Sequence, residues 1–129
     1  MKKILLACFF LSATCSVTSI QHATAQSTPP VTLATFTARI NLMDTYIGAS
    51  NMTAANATWT EVHNMMLSVL AVSKQSIYSA TSPADKDAHV LILNNQTSAY
   101  QEVWALKTDL ALNRAAIHTK LVAFGALIY

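Results

Sequence analysis

The chain has 129 residues, with 8 basic and 6 acidic side chains and a formal net charge of +2. A chain so close to neutral has no electrostatic footprint for nucleic acid or an anionic membrane. It is 53% apolar yet holds only two glycines and three prolines, which argues for long helices and against a many-turned β fold.

Lys2 and Lys3 precede an apolar run over 4–17, and Ala23, Thr24 and Ala25 form an A-x-A pattern ahead of Gln26. That order is a secretory signal peptide over 1–25, too short and wrongly flanked for a lasting membrane span. Leu5, Leu6, Ala7 and Cys8 spell a competing lipoprotein box, but the apolar run before Cys8 is short for it. Cleavage leaves 104 residues, enough for one small domain over 32–129 behind the polar lead-in "QSTPPV" at 26–31. Cys8 and Cys15 leave with the signal, so the processed chain has neither a disulfide nor a thiolate. Losing Lys2 and Lys3 leaves six basic residues against six acidic ones. The expected address is the bacterial periplasm or the cell exterior.

The first helix is expected over 32–47, where Leu33, Phe36, Ile40, Met43 and Ile47 make one apolar stripe. Gly48 is placed to end it in the left-handed conformation. The alanines of "ASNMTAANAT" can extend the second helix backwards, but Thr58 and Glu61 have capping-box spacing and predict a start near Thr58. Its stripe reads Trp59, Val62, Met66, Val69, Leu70, Ser73, Ile77, and it ends near residue 80.

The third helix has the clearest start. Ser82 can cap, Pro83 suits the first position, and Asp85 sits at the positive end of the dipole. Its stripe is Leu93, Tyr100, Val103, Trp104, Leu110, Ile117, Leu121, Phe124 and Ile128, interrupted by Lys107 and Arg114. Nothing stops it firmly before Gly125. The weakest places are 94–98 and Asn113. The fold class is therefore all-α: a small up-down bundle of three long helices, or four if the third breaks at one of those places. The first helix is expected to fold back on the other two. The alternative lays helices 1 and 2 end to end along helix 3, leaving an apolar face that needs a second copy.

"WTEVHNMM", at 59–66, looks most like chemistry. Residues three and four apart share a helical face, so His63 neighbours Trp59, Met66 and Leu67, while Glu61 lies around the side. His63 and Met66 are candidate metal ligands, set against the plainer reading of methionine and tryptophan as core filler. His89 follows Asp85 by four, which is half a metal site or an oriented base, although Asp85 is explained by the helix dipole alone.

Arg114, Ala116, His118 and Lys120 form an R-x-A-x-H-x-K pattern. It is similar to the end of the last helix in periplasmic b-type cytochrome four-helix bundles. That resemblance implies His118 as an axial haem ligand with Met43 opposite. It covers 114–120 only, Met43 lies well inside its helix, and a separate loop before the last helix is not evident. Covalent haem attachment is excluded, because no C-x-x-C-H is present. "RINLMD" is similar to the first helix of secreted helical chorismate mutases, whose anionic substrate implies several converging cations; here only Arg39, Arg114 and scattered lysines are on offer.

No G-x-S-x-G, processed-chain cysteine or glycine-rich phosphate loop is present. The reading is a non-catalytic exported protein without a cofactor. Its apolar faces, including "MMLSVLAV" and "LVAFGALIY", engage a protein partner or a second copy, as a homodimer. A chaperone-like or envelope-associated role is one form of this. The alternative is a haem- or metal-binding bundle.

Overall fold

The computed structural model describes residues 30–129, and the proposed signal peptide and cleavage site lie outside them. The described chain is all-helical, with four helices packed against each other: α1 (Leu33–Gly48), α2 (Met52–Ser79), α3 (Pro83–Leu106) and α4 (Arg114–Gly125).

Local chemistry accounts for each boundary. Thr32 caps α1, accepting from the Thr35 amide at 3.2 Å, while its own amide donates to Thr35 Oγ1 at 3.1 Å. At the far end Gly48 stays helical, contrary to expectation. Ser50 takes the left-handed conformation instead, at φ 57, and the Asn51 amide donates back to the Tyr46 carbonyl at 2.9 Å. Asn51 also caps α2, accepting from the Ala54 amide at 3.2 Å.

α2 therefore begins before Thr58, because the alanines at 54, 55 and 57 favour helix strongly. The capping box read at Thr58 and Glu61 does not form. Thr58 is buried and its hydroxyl donates to the Ala54 carbonyl at 2.9 Å, while Glu61 pairs with Arg39 at 3.0 Å. The start of α3 is as read: the Asp85 amide donates to Ser82 Oγ at 3.1 Å, with Pro83 first in the helix.

The third helix breaks at 107–113 and not at 94–98. Short polar side chains there bond the backbone locally and compete with helix. Asp109 Oδ1 accepts from the Leu112 amide at 2.8 Å, and Asn113 Nδ2 donates to the Leu106 carbonyl at 2.9 Å. The loop missing from the b-type cytochrome comparison is thus present. Residues 94–98 remain helical, with Gln96 buried among them.

α1 packs on α2, α2 on α3, α3 on α4 and α4 on α1. This closed order overturns the end-to-end arrangement of the first two helices. Phe36, Ile40, Met43 and Ile47 of α1 meet Ala55, Val62, Met66 and Val69 of α2, Val103 of α3, and Ile117, Leu121 and Phe124 of α4. The Phe36 and Phe124 rings lie 5.6 Å apart between centroids. Gly125 permits this closeness, because a Cβ there would stand 3.3 Å from both Leu33 and Phe36. Of the two tryptophans assigned to core stripes from sequence, Trp59 is half-buried and packed against the core, and Trp104 is exposed.

The helices are unequal. α1 and α4 have 16 and 12 residues, α2 and α3 have 28 and 24. The longer pair outruns the shorter by about 18 Å, at 1.5 Å per residue. Over this projecting end, 70–95, no residue is buried. Among the described residues no helix is long and apolar enough to cross a membrane.

Candidate functional site

The stretch at 59–66 divides between two faces. Val62 and Met66 enter the core. Trp59 and His63 stand on the outer seam of α2 and α3, where the i, i+4 pair Tyr100 and Trp104 faces them. His63 lies 4.8 Å from Trp104, 5.8 Å from Tyr100 and 6.4 Å from Trp59 between ring centroids. Its Nε2 is 3.0 Å from the Tyr100 hydroxyl. Lys107 closes the far end, its Nζ 3.1 Å from the Trp104 ring centre, as a cation over an aromatic face. The result is a four-ring ladder. Met66 is buried in the core, and His63 is half-buried on the outer seam. Tyr100 and Trp104 escaped the sequence reading as partners of His63 because both were placed in a core stripe. Their matching i, i+4 spacing was the available signal.

His118 is half-buried on α4, and its Nδ1 is buried without a hydrogen-bond partner. Met43 is 2% exposed and packed in the core cluster. Beside His118, Arg114 grips Asp44 with two bonds, Nε to Oδ1 at 2.7 Å and a terminal nitrogen to Oδ2 at 2.8 Å. The hydrogen bonds from Arg114 hold the Asp44 carboxyl below its ordinary value against the opposing cost of burial, and the charges of Arg114 and His118 lower it further. The same bonds raise Arg114. Gly48 leaves room for this pair, since a Cβ there would stand 3.0 Å from the guanidinium nitrogens. The residue read as a helix stop is also a gap for an arginine.

His89 and Asp85 do meet, Nε2 to Oδ1 at 3.4 Å, on a partly exposed turn of α3. Asp85 Oδ2 also accepts from the Thr81 amide at 3.2 Å. Among the described residues no group of three His, Cys, Asp or Glu could hold a metal ion.

A cavity of about 390 Å³ opens where the projecting end leaves the closed bundle. Val69, Val72, Ser73 and Ser76 of α2 form one wall, and His89, Ile92 and Gln96 of α3 the other. Both ends of the described chain close it, through Pro30 and Val31 on one side and Ile128 and Tyr129 on the other. Gln96 is 1% exposed. Its Nε2 donates to the Leu127 carbonyl at 2.7 Å, and its Oε1 has no partner.

Compared with known proteins, the chain matches no family model, no curated protein and no solved structure.

Proposed function

We propose that the chain is a small exported helical bundle, up-down in topology, that is not an enzyme and works through protein–protein contacts. The observation that carries this reading is the outer face of α2 and α3. Among the described residues ten large apolar side chains stand exposed, and six of them lie on these two helices: Leu67, Val72, Tyr78, Val90, Leu91 and Trp104. Single exposed apolar residues are ordinary on any surface. Here Leu67 and Tyr78 extend a row that begins in the aromatic ladder, Trp59, His63, Leu67, Ala71 and, one turn beyond Lys74, Tyr78, each step three or four residues. Aromatic anchors beside aliphatic side chains are the composition of interface centres. The partner is a protein with a complementary apolar patch, a second copy being its simplest form. Export to the periplasm or the exterior rests on the Lys2–Lys3 start, the apolar run and the A-x-A pattern.

Photo-crosslinking side chains at Leu67 and at Leu91 test this in cells exporting the chain, with Val122 on α4 as the comparison site. Discrete products at 67 and 91, weaker at 122, are expected, and a product of twice the chain mass identifies a homodimer. Equal labelling at all three sites would remove the reading.

One observation favours the haem or metal alternative, the buried and unpartnered Nδ1 of His118. Native mass spectrometry of the exported chain separates the two. A bare chain mass supports protein contacts; an added haem or metal mass lost in His118→Ala supports the alternative.

A further inference from the structure

We infer that the outer face of α2 and α3 takes a helix of a different protein: an amphipathic segment of about twenty residues, apolar along its middle, with carboxylates near both ends. This rests on the protein-contact reading and decides between the two partners that reading leaves open, a second copy and another protein. Charge makes the decision.

The described residues hold six lysines and arginines against six carboxylates, but the two signs are sorted in space. Arg39 pairs with Glu61, Arg114 with Asp44 and Lys120 with Glu102, each across a seam that α1 or α4 makes. The other three cations, Lys74, Lys86 and Lys107, make no ion pair among the described residues. All three belong to the outer face. On α2 the row His63, Leu67, Leu70, Lys74, Tyr78 advances by three or four residues. On α3 the row Lys86, Val90, Leu93, Thr97, Tyr100, Trp104 does the same. The rows meet where His63 bonds Tyr100, and Lys107 lies against Trp104. Neither row contains an acid. Asp85 is engaged by His89 and the Thr81 amide, and Asp87 stands about a quarter-turn around α3 from Lys86, at the rim of the face.

The cations mark the two ends of this face. Lys86 and Lys107 are 21 positions apart, which is about 30 Å along the helix. The antiparallel register set by His63 and Tyr100 brings Lys74 level with His89, at the Lys86 end. Rings and aliphatic side chains fill the space between. The complement of such a face is an apolar strip with negative charge at each end, and one helix of about twenty residues has that length.

A second copy does not supply it. A two-fold pair uses the same patch on both subunits. Packed antiparallel, the Lys107 end of one copy meets the Lys74 and Lys86 end of the other. Packed parallel, each end meets itself. Cation faces cation in both cases, which suppresses the pair. An anionic lipid surface fits less well, because polybasic anchors cluster about four to eight cations, whereas these three are divided between the ends of a rigid strip.

Two synthetic helical peptides of about twenty-two residues test this by fluorescence anisotropy with the full exported chain. Both carry leucines at three- and four-residue spacing through the middle. One has glutamates at both ends, the other lysines. Saturable binding of the glutamate-ended peptide is expected, about tenfold tighter than the lysine-ended one, since each of three partly exposed charge pairs adds modestly. The margin should shrink as sodium chloride is added. Lys74→Glu with Lys86→Glu changes two exposed side chains and should erase the preference. Leu67→Ser should weaken both peptides alike. Circular dichroism melting confirms that each variant folds, and the salt titration reads the same charges without mutation. No saturable binding, equal affinity for the two peptides, a preference indifferent to salt or to the double variant, or undiminished binding by Leu67→Ser would each overturn the inference. So would retention of the chain by phosphatidylglycerol vesicles with no affinity for either peptide, which would assign the face to a lipid surface. Crosslinking at Leu67 separates this inference from the reading beneath it. A product of twice the chain mass overturns the inference and leaves the protein-contact reading standing, whereas equal labelling at Leu67, Leu91 and Val122 removes both.

Discussion

The two ends of α2 have similar apolar content and different fates. Between Met52 and Val69 the helix buries Ala55, Thr58, Val62, Met66 and Val69, because α1 and α4 lie across its neighbours. Between Leu70 and Ser79 it buries nothing, although Leu70, Val72 and Ile77 continue the run. α3 repeats the contrast, buried at Gln96 and Val103 and uncovered before them. Helicity is the same in both halves, so what differs is the second layer. Tertiary cover and not propensity decides where stability resides.

The contrast is broken most severely by truncating the covered half. Phe36→Ala removes a fully buried ring from the α1–α4 contact and is expected to cost about 3–5 kcal/mol, read as a loss of melting temperature. A surviving melting temperature within a few degrees would mean that this contact does not hold the bundle together. Hydrogen exchange sharpens the same contrast without mutation. Amides over 73–90 should exchange well before those over 55–69 and 117–124, since the projecting end has no buried side chains. Uniform protection would show that the end is covered in solution.

On the seam between α2 and α3, Tyr100→Phe deletes the hydroxyl bonded to His63 and keeps the ring stack, so a loss of roughly 1 kcal/mol is expected in denaturant unfolding. Acid tests the Asp44–Arg114 clasp. Asp44 is held below its ordinary value of 3.8, so its contribution is fully present above that pH and fades as pH falls through the lowered value. Asp44→Asn should flatten the stability profile below about pH 4 by a small amount, as befits a partly exposed pair. Smallest of all, Leu91→Ser on the projecting end should change stability by no more than about 0.5 kcal/mol, against several for Phe36→Ala.

Much of the fold was legible in the residues. The Ser82, Pro83, Asp85 start reads directly because capping is local chemistry. The stripe of Phe36, Ile40, Met43 and Ile47 is buried as spaced, while Leu33 at its start stands exposed. Reading failed where two local signals competed or where the answer depended on a distant neighbour. Thr58 and Glu61 looked like a cap, but the alanines before them extended the helix. The 94–98 segment looked weak, yet Gln96 is held by Leu127, thirty-one positions away. Trp59 and Trp104 fitted core stripes by period, but helical spacing does not say which side of a stripe meets water when the aromatic partner is on another helix. The cavity was not legible at all, since four separate stretches of chain build it and none carries a motif.

The meeting of Val31 and Ile128 at one cavity also has a topological meaning. The two ends of the described fold are neighbours, as they are in many small domains. A short polar linker from Tyr129 back to Pro30, with the chain reopened in the turn at 80–82, would give a circular permutant in which all four helices keep their partners. The helices that project would then carry the free ends, and the groove would become an uninterrupted bend of the backbone.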